Sequence, residues 1–248
     1  MDELATLERD GASAWLWLER ADRRNALSIE MLDAVHQRLD ELEDDPPVAL
    51  VVTGRGPSFS AGMDLRQVLG GQETALELLR LLGRATLRLR GLSSVVLARV
   101  NGAAIGGGCG LACVADVAAT HADAVIGFPE VDLGLCPAVV SPWVVRKIGA
   151  GPARRVLLSG GTMTGADAHR IGLVDHLAAS VEQLDALVAE VVDRLCSGGA
   201  RALAATKGLL NELDGSGDEA AIMRGASLSA EVLATPEAQA ALRARLER

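Results

Sequence analysis

Two strand-like runs constrain the fold of this 248-residue chain more than anything else in it. Val48-Ala49-Leu50-Val51-Val52-Thr53 is continuously apolar, the pattern of a strand buried on both faces. Val95 to Val100 reads as a second buried strand. Around them the periodicity becomes helical. Ser28 caps a helix with Ile29, Leu32, Val35, Leu39 and Leu42 on one face, and Asp44-Asp45-Pro46-Pro47 ends it. Residues 73–91 form another, carrying Leu76, Leu79, Leu82 and Leu87. Residues 4–9 and 12–18 make a hairpin about Asp10-Gly11. Residues 66–72 read as a mobile loop.

After Pro137 helices dominate, at about 138–148, at 151–159 and from Thr164 to Gly172. Leu173 to Leu177 is a short strand. Ser180-Val181-Glu182-Gln183 reads as a capping box opening a helix to about Cys196. Ser197-Gly198-Gly199 is a hinge before three helices, at about 200–213, 218–234 and 237–247. The class is α/β, with strand, strand, helix as the repeating unit. A core of residues 1–196 is followed by a helical region, 197–248.

Hydrophobic residues make up 49% of the chain, which argues against disorder. With two Phe, three Trp and no Tyr, the core must be built from Leu, Val and Ala, and no step can use a phenol. No apolar run approaches a membrane span, and the acidic start MDELATLERDG lacks the pattern of a signal peptide. A net charge of −9 argues against nucleic acid as partner. Cys109, Cys113, Cys136 and Cys196 lie in apolar surroundings without zinc spacing, so no metal is expected and the thiols read as reduced, in a cytoplasmic protein. His36, on a helix flank, and His176, at a strand end, are expected to be solvated.

Chemistry concentrates in Val100 to Pro137. Its glycine run, Gly106 to Gly108, opens a helix and offers bare backbone N–H groups. It lacks the spacing of a dinucleotide fingerprint. The following loop carries one acid, Glu130, between Pro129 and Val131. Burial beside Phe128 and Val131 should raise its pKa and make it a better base. Asp64 reads as a structural acid at a helix start, and Asp116 as a support for strand and loop.

Five motifs in order carry a family resemblance: Arg24-Asn25-Ala26-Leu27, Phe59-Ser60-Ala61-Gly62-Met63-Asp64-Leu65, Val100-Asn101-Gly102 through Gly108, Phe128-Pro129-Glu130, and Leu157 to Asp175. Together they resemble the crotonase superfamily, the enoyl-CoA hydratase/isomerase group. The resemblance implies a crotonase (ClpP-like) spiral of ββα units with a helical C-terminal trimerisation region, assembled as a homotrimer or a dimer of trimers. It implies an acyl-CoA thioester substrate and no separate cofactor, coenzyme A being part of the substrate. By motif position the backbone N–H groups of Met63 and Gly107 would form an oxyanion hole. Arg24, Ala26 and Leu27, with Ala61, Asp64 and Leu65, would embrace the CoA, and Lys207 would reach its phosphates.

The pattern departs from the hydratases of this family at one position. These usually carry two glutamates, one of them where this chain has Gly110, in the substrate-facing stretch, and the other where it has Glu130. Hydration needs a water activated at C3 and a proton delivered to C2. Moving a double bond from the 3,4 to the 2,3 position needs only one base that takes a C2 proton and returns it at C4. The resemblance therefore lies closest to the Δ3,Δ2-enoyl-CoA isomerases. The alternatives are a hydratase or dehydratase working with one carboxylate, and a protein that binds acyl-CoA or acyl-carrier protein without turnover.

Overall fold

The computed structural model describes residues 3–247. Strands β1 (Ala5–Asp10) and β2 (Ser13–Leu18) form the opening hairpin, and helix α1 (Ile29–Asp44) follows. Ser28 caps α1 by accepting from Met31 N. Strand β3 (Ala49–Gly54) leads to β4 (Ser58–Ser60), a short helix α2 (Leu65–Val68) and a long helix α3 (Gln72–Gly91). Strands β5 (Val95–Val100) and β6 (Ala103–Ile105) precede α4 (Gly107–Val114), and β7 (Val117–His121) precedes β8 (Val125–Gly127). Then come α5 (Ser141–Ile148), α6 (Ala150–Ser159), β9 (Thr162–Thr164), α7 (Gly165–Arg170), β10 (His176–Ala178) and α8 (Val181–Cys196). The chain continues through α9 (Ala200–Leu213), α10 (Glu219–Leu233) and α11 (Pro236–Leu246).

The strands sort into two sheets. The larger has the order β1-β2-β3-β5-β7-β10, and the smaller β4-β6-β8-β9. Only the β1–β2 and β8–β9 pairs are antiparallel. Three times in succession, at β3–β4, β5–β6 and β7–β8, the chain runs through the large sheet and then the small one. The result is a spiral of ββα units.

The continuous apolar character of β3 follows from this layering. Leu50 and Val52 face the main core with α1 and α3. Ala49 and Val51, with Leu97 and Ala119, face a second cluster formed with Leu184, Val188 and Val192 of α8. No side of the strand meets solvent, so no position can be polar without a partner. Thr53 obeys the same rule, its hydroxyl donating to Arg99 O at 2.9 Å. Large aromatic side chains are few, and Phe59, Phe128 and Trp143 are all fully buried.

Several local readings change. Residues 66–72 are not a loop throughout, because Asp64 accepts from Arg66 N and caps α2. Ser180 makes no side-chain cap bond to the start of α8, so the capping box does not form. His36 is half-buried between Leu81 O (3.2 Å) and the Arg88 guanidinium (3.1 Å), and burial lowers its pKa. Strand β10 begins at His176 instead of ending near it.

No described helix is long and apolar enough to cross a membrane. The helix α10 packs along α3 and contributes Ile222, Ala226, Ala230 and Leu233 to the main core.

Candidate active site

The site is built where two loops are clamped side by side. The turn after β2 holds Arg24 and Asn25 in left-handed conformations, with φ of 52° and 54°. Asn25 is fully buried and its side chain replaces what a regular strand would supply. Its Oδ1 accepts from Arg20 N at 2.9 Å, and its Nδ2 donates to Arg55 O (3.0 Å) and Ser58 O (2.8 Å). The loop then pairs with the segment after β4. Ala61 N donates to Arg24 O (2.9 Å), Leu27 N to Gly62 O (2.8 Å) and Asp64 N to Leu27 O (2.8 Å). Ser60 Oγ adds a bond to Asn25 O at 2.8 Å.

With Gly62 N donating to Ser60 Oγ (3.2 Å), the N–H groups on either side of Met63 are used, and Met63's own N–H is left without an acceptor among the described residues. Gly107 is the first residue of α4, so its N–H has no intrahelical partner either. The two groups are neighbours: a Cβ placed on Gly62 would lie 3.5 Å from Gly107 N, and one on Gly107 would lie 3.6 Å from Met63 Cγ. The positive φ of Gly62 (84°) and the 2.6 Å from its Cβ position to Ile105 O exclude a side chain there.

Glu130 faces the same space. It follows β8 and Phe128-Pro129 and begins a single 3-10 turn, Val131–Leu133. Its carbonyl accepts from Leu133 N (3.0 Å) and Leu135 N (2.9 Å), which fixes the backbone. The side chain is buried, and Oε2 has no hydrogen-bond partner among the described residues. Burial pushes its pKa up to about 7; its own backbone N–H opposes this, and the charge of Asp132 adds to it. The carboxylate lies against the bare Cα of Gly106, where a Cβ would come within 2.6 Å of Oε1.

Met63, Gly107 and Glu130 line one narrow cavity with Leu79, Leu82, Leu135, Val139, Val140 and Leu233. About 20 Å³ is open to a water-sized sphere, room for about one water. Cys136, Pro137 and Ser229 complete its wall. The sequence singled out Met63, Gly107 and Glu130 from separate motifs, and the fold brings them together. Val139, Val140, Ser229 and Leu233 carried no signal, since nothing in the sequence says that the segment before α5 and the helix α10 fold back over α3 and α4.

The other residues divide. Arg24 is exposed, next to the half-buried Ala26 and Ala61, and none of the three lines the cavity. Leu27 is buried and Leu65 half-buried, flanking Met63. Asp64 is engaged structurally, with Arg20 at 2.8 Å besides its capping bond.

Two expectations are corrected. Lys207 does not reach out to a phosphate. It is buried, with Nζ 2.8 Å from Asp116 Oδ2 and donating to Ser94 O (2.8 Å) and Leu89 O (3.4 Å). All its donors are committed within the chain, and burial lowers its pKa while Asp116 opposes the fall. Gly110 does not line the cavity; its Cα packs against Val140.

A family model described as enoyl-CoA hydratase/isomerase matches residues 9–248. The chain belongs to the enoyl-CoA hydratase/isomerase family. A Thermus thermophilus protein named as a candidate enoyl-CoA hydratase is 36% identical over 250 residues, covering 96% of each chain. The crotonyl-CoA hydratase of Syntrophomonas wolfei is 32% identical over 210 residues, covering 83% of this chain and 80% of that one. Among solved structures, the enoyl-CoA hydratase from Bacillus halodurans superposes with a TM-score of 0.89 over 97% of this chain and 99% of its own. At 20% identity that match shows the fold alone.

Proposed function

We propose that this protein moves the double bond of a 3-enoyl-CoA to the 2,3 position. The thioester carbonyl would accept from Met63 N–H and Gly107 N–H. Glu130 would take a proton from C2, leaving an enolate whose negative charge rests on the thioester oxygen. The two N–H groups favour that charge, each donor being worth ~3 kcal/mol in comparable sites. The dipole of α4 acts in the same direction at Gly107. Glu130 would then return the proton at C4 and end the cycle as it began.

The observation that carries this reading is that Glu130 is the single carboxylate in the lining of the cavity holding both free N–H groups. A proton shuttle needs one base with a pKa near the working pH, and a value of about 7 suits that task. The leucine and valine side chains around Glu130 suit an apolar acyl chain and give a water nucleophile few polar partners.

A second reading, hydration with one carboxylate, is favoured by the relatives named as hydratases. Purified protein given 3-hexenoyl-CoA and 2-hexenoyl-CoA separates the two. Conversion of the first to the 2-enoyl ester should outpace water addition to the second. Faster hydration would overturn the proposal, and tight acyl-CoA binding without turnover of either would make the protein a binder.

A further inference from the structure

We infer that Val140 is a specificity-determining residue, whose side chain fills the place a second acid would occupy opposite Glu130 and so biases the site toward proton transfer and against water addition. The inference rests on the proposed acyl-CoA chemistry and names the residue that sets its outcome.

Three observations converge. Gly110 N donates to Gly106 O at 2.9 Å, so Gly110 closes the first turn of α4 above Gly106, which caps it. Gly106 is the residue whose Cα abuts the Glu130 carboxylate. A side chain at 110 would point at Val140, which stands between it and the cavity that holds the Glu130 carboxylate. The space is taken, because a Cβ on Gly110 would meet Val140 Cγ1 at 2.1 Å and Val140 Cβ at 2.8 Å. Val140 itself is buried and lines the cavity with Glu130.

The residue cannot easily move aside. It precedes α5, and its carbonyl accepts from Trp143 N (3.1 Å) and Val144 N (3.2 Å). The segment before it is latched to α10 by Ser229, whose Oγ accepts from Ala138 N (3.2 Å) and donates to Cys136 O (2.7 Å). Those bonds also commit the one hydroxyl in the lining. Apart from Glu130 and the two N–H groups that the thioester carbonyl would take, the side chains of the wall thus offer a water nucleophile only the weakly polar Cys136 thiol. Water addition needs an oxygen placed at C3 and a proton at C2, whereas isomerisation only moves one proton from C2 to C4. Val140 removes the extra requirement's site and leaves the shuttle intact.

The test compares wild type, Val140→Ala, Val140→Gly, Gly110→Glu and the double variant Gly110→Glu/Val140→Gly. Each is given 3-hexenoyl-CoA and 2-hexenoyl-CoA, and the ratio of hydration to isomerisation is read. That ratio does not depend on the fraction of correctly folded enzyme, so a purely structural role would not move it. Both single Val140 variants should raise the ratio. The double variant should hydrate about 100-fold faster than wild type, as a positioned second acid or base contributes. Gly110→Glu alone should gain no hydration, because Val140 still occupies the space.

The inference is overturned if Gly110→Glu alone hydrates as well as the double variant, or if Val140→Ala and Val140→Gly both keep the wild-type ratio. Wild-type rates alone test the proposed reaction. If wild type hydrates faster than it isomerises, that proposal fails, and the comparison of Gly110→Glu with the double variant still decides the role of Val140.

Discussion

At the scale of single residues, the proposed reaction depends on a carboxylate placed where a carboxylate is costly. Glu130 keeps its pKa near 7 because burial penalises the charge and no side chain compensates it. Isomerase kcat/KM should therefore rise with pH through a midpoint near 7 and fall away below it, since the base acts deprotonated. The stability effect has the opposite sign. The folded protein holds a proton between about pH 4.5 and 7 that the unfolded chain has lost, so stability decreases as pH rises through that window. Glu130→Gln removes the effect and should stabilise the protein by ~3 kcal/mol at pH 8 while doing little at pH 4, as urea titrations would show. The raised pKa was legible in the sequence from Phe128 and the apolar loop. The contact of Val140 with Gly110 was not, because it joins α4 to the residue before α5 and no local pattern encodes it.

At the scale of elements, one device positions the site and another docks a helix. The clamp between the Arg24–Leu27 turn and the Ala61–Asp64 segment hangs on Asn25. Replacing it with Ala leaves Ser58 O and Arg55 O unsatisfied and keeps a positive φ at a residue suited to it only poorly. Asn25→Ala should cost ~3 kcal/mol in thermal or urea unfolding, and lower kcat through the displaced Met63 N–H. The second device is the ion pair of Lys207 with Asp116, which docks α9 against the end of α3 and the start of β5. Asp116 Oδ2 also accepts from Val96 N at 2.7 Å, and Oδ1 meets Arg90 at 3.2 Å. Lys207→Met should destabilise by ~2–4 kcal/mol and leave KM for the CoA ester unchanged. A KM that rises tenfold with stability unchanged would restore the phosphate-binding role that the resemblance implied. Helices of 14 to 20 residues were readable from their periodicity. The small sheet was not, since β4, β6, β8 and β9 have three residues each, too short for a period-2 pattern to emerge.

At the scale of the whole molecule, α9 gathers three exposed leucines on one helix. Lys207 is the only buried residue of its fourteen. Leu209, Leu210 and Leu213 are 56%, 53% and 76% exposed, a stripe no monomer benefits from showing. We propose that α9 packs against other copies in a homotrimer or a dimer of trimers. Leu210→Glu/Leu213→Glu should give a smaller particle by light scattering, whereas an unchanged mass would place the interface elsewhere. The spiral order was readable from five motifs in sequence. The course of α10 over α3, which closes the cavity with Leu233, depends on long-range packing and was hidden.

All three scales meet in the claim that one buried carboxylate does the proton transfer. The most direct test measures kcat/KM of Glu130→Gln for 3-hexenoyl-CoA isomerisation, together with its Kd for a saturated acyl-CoA. A loss of about 10²–10⁴-fold in kcat/KM with Kd unchanged is expected, because the variant keeps the shape and both N–H donors and lacks only the base. Isomerisation retained to within about tenfold of wild type would contradict the account.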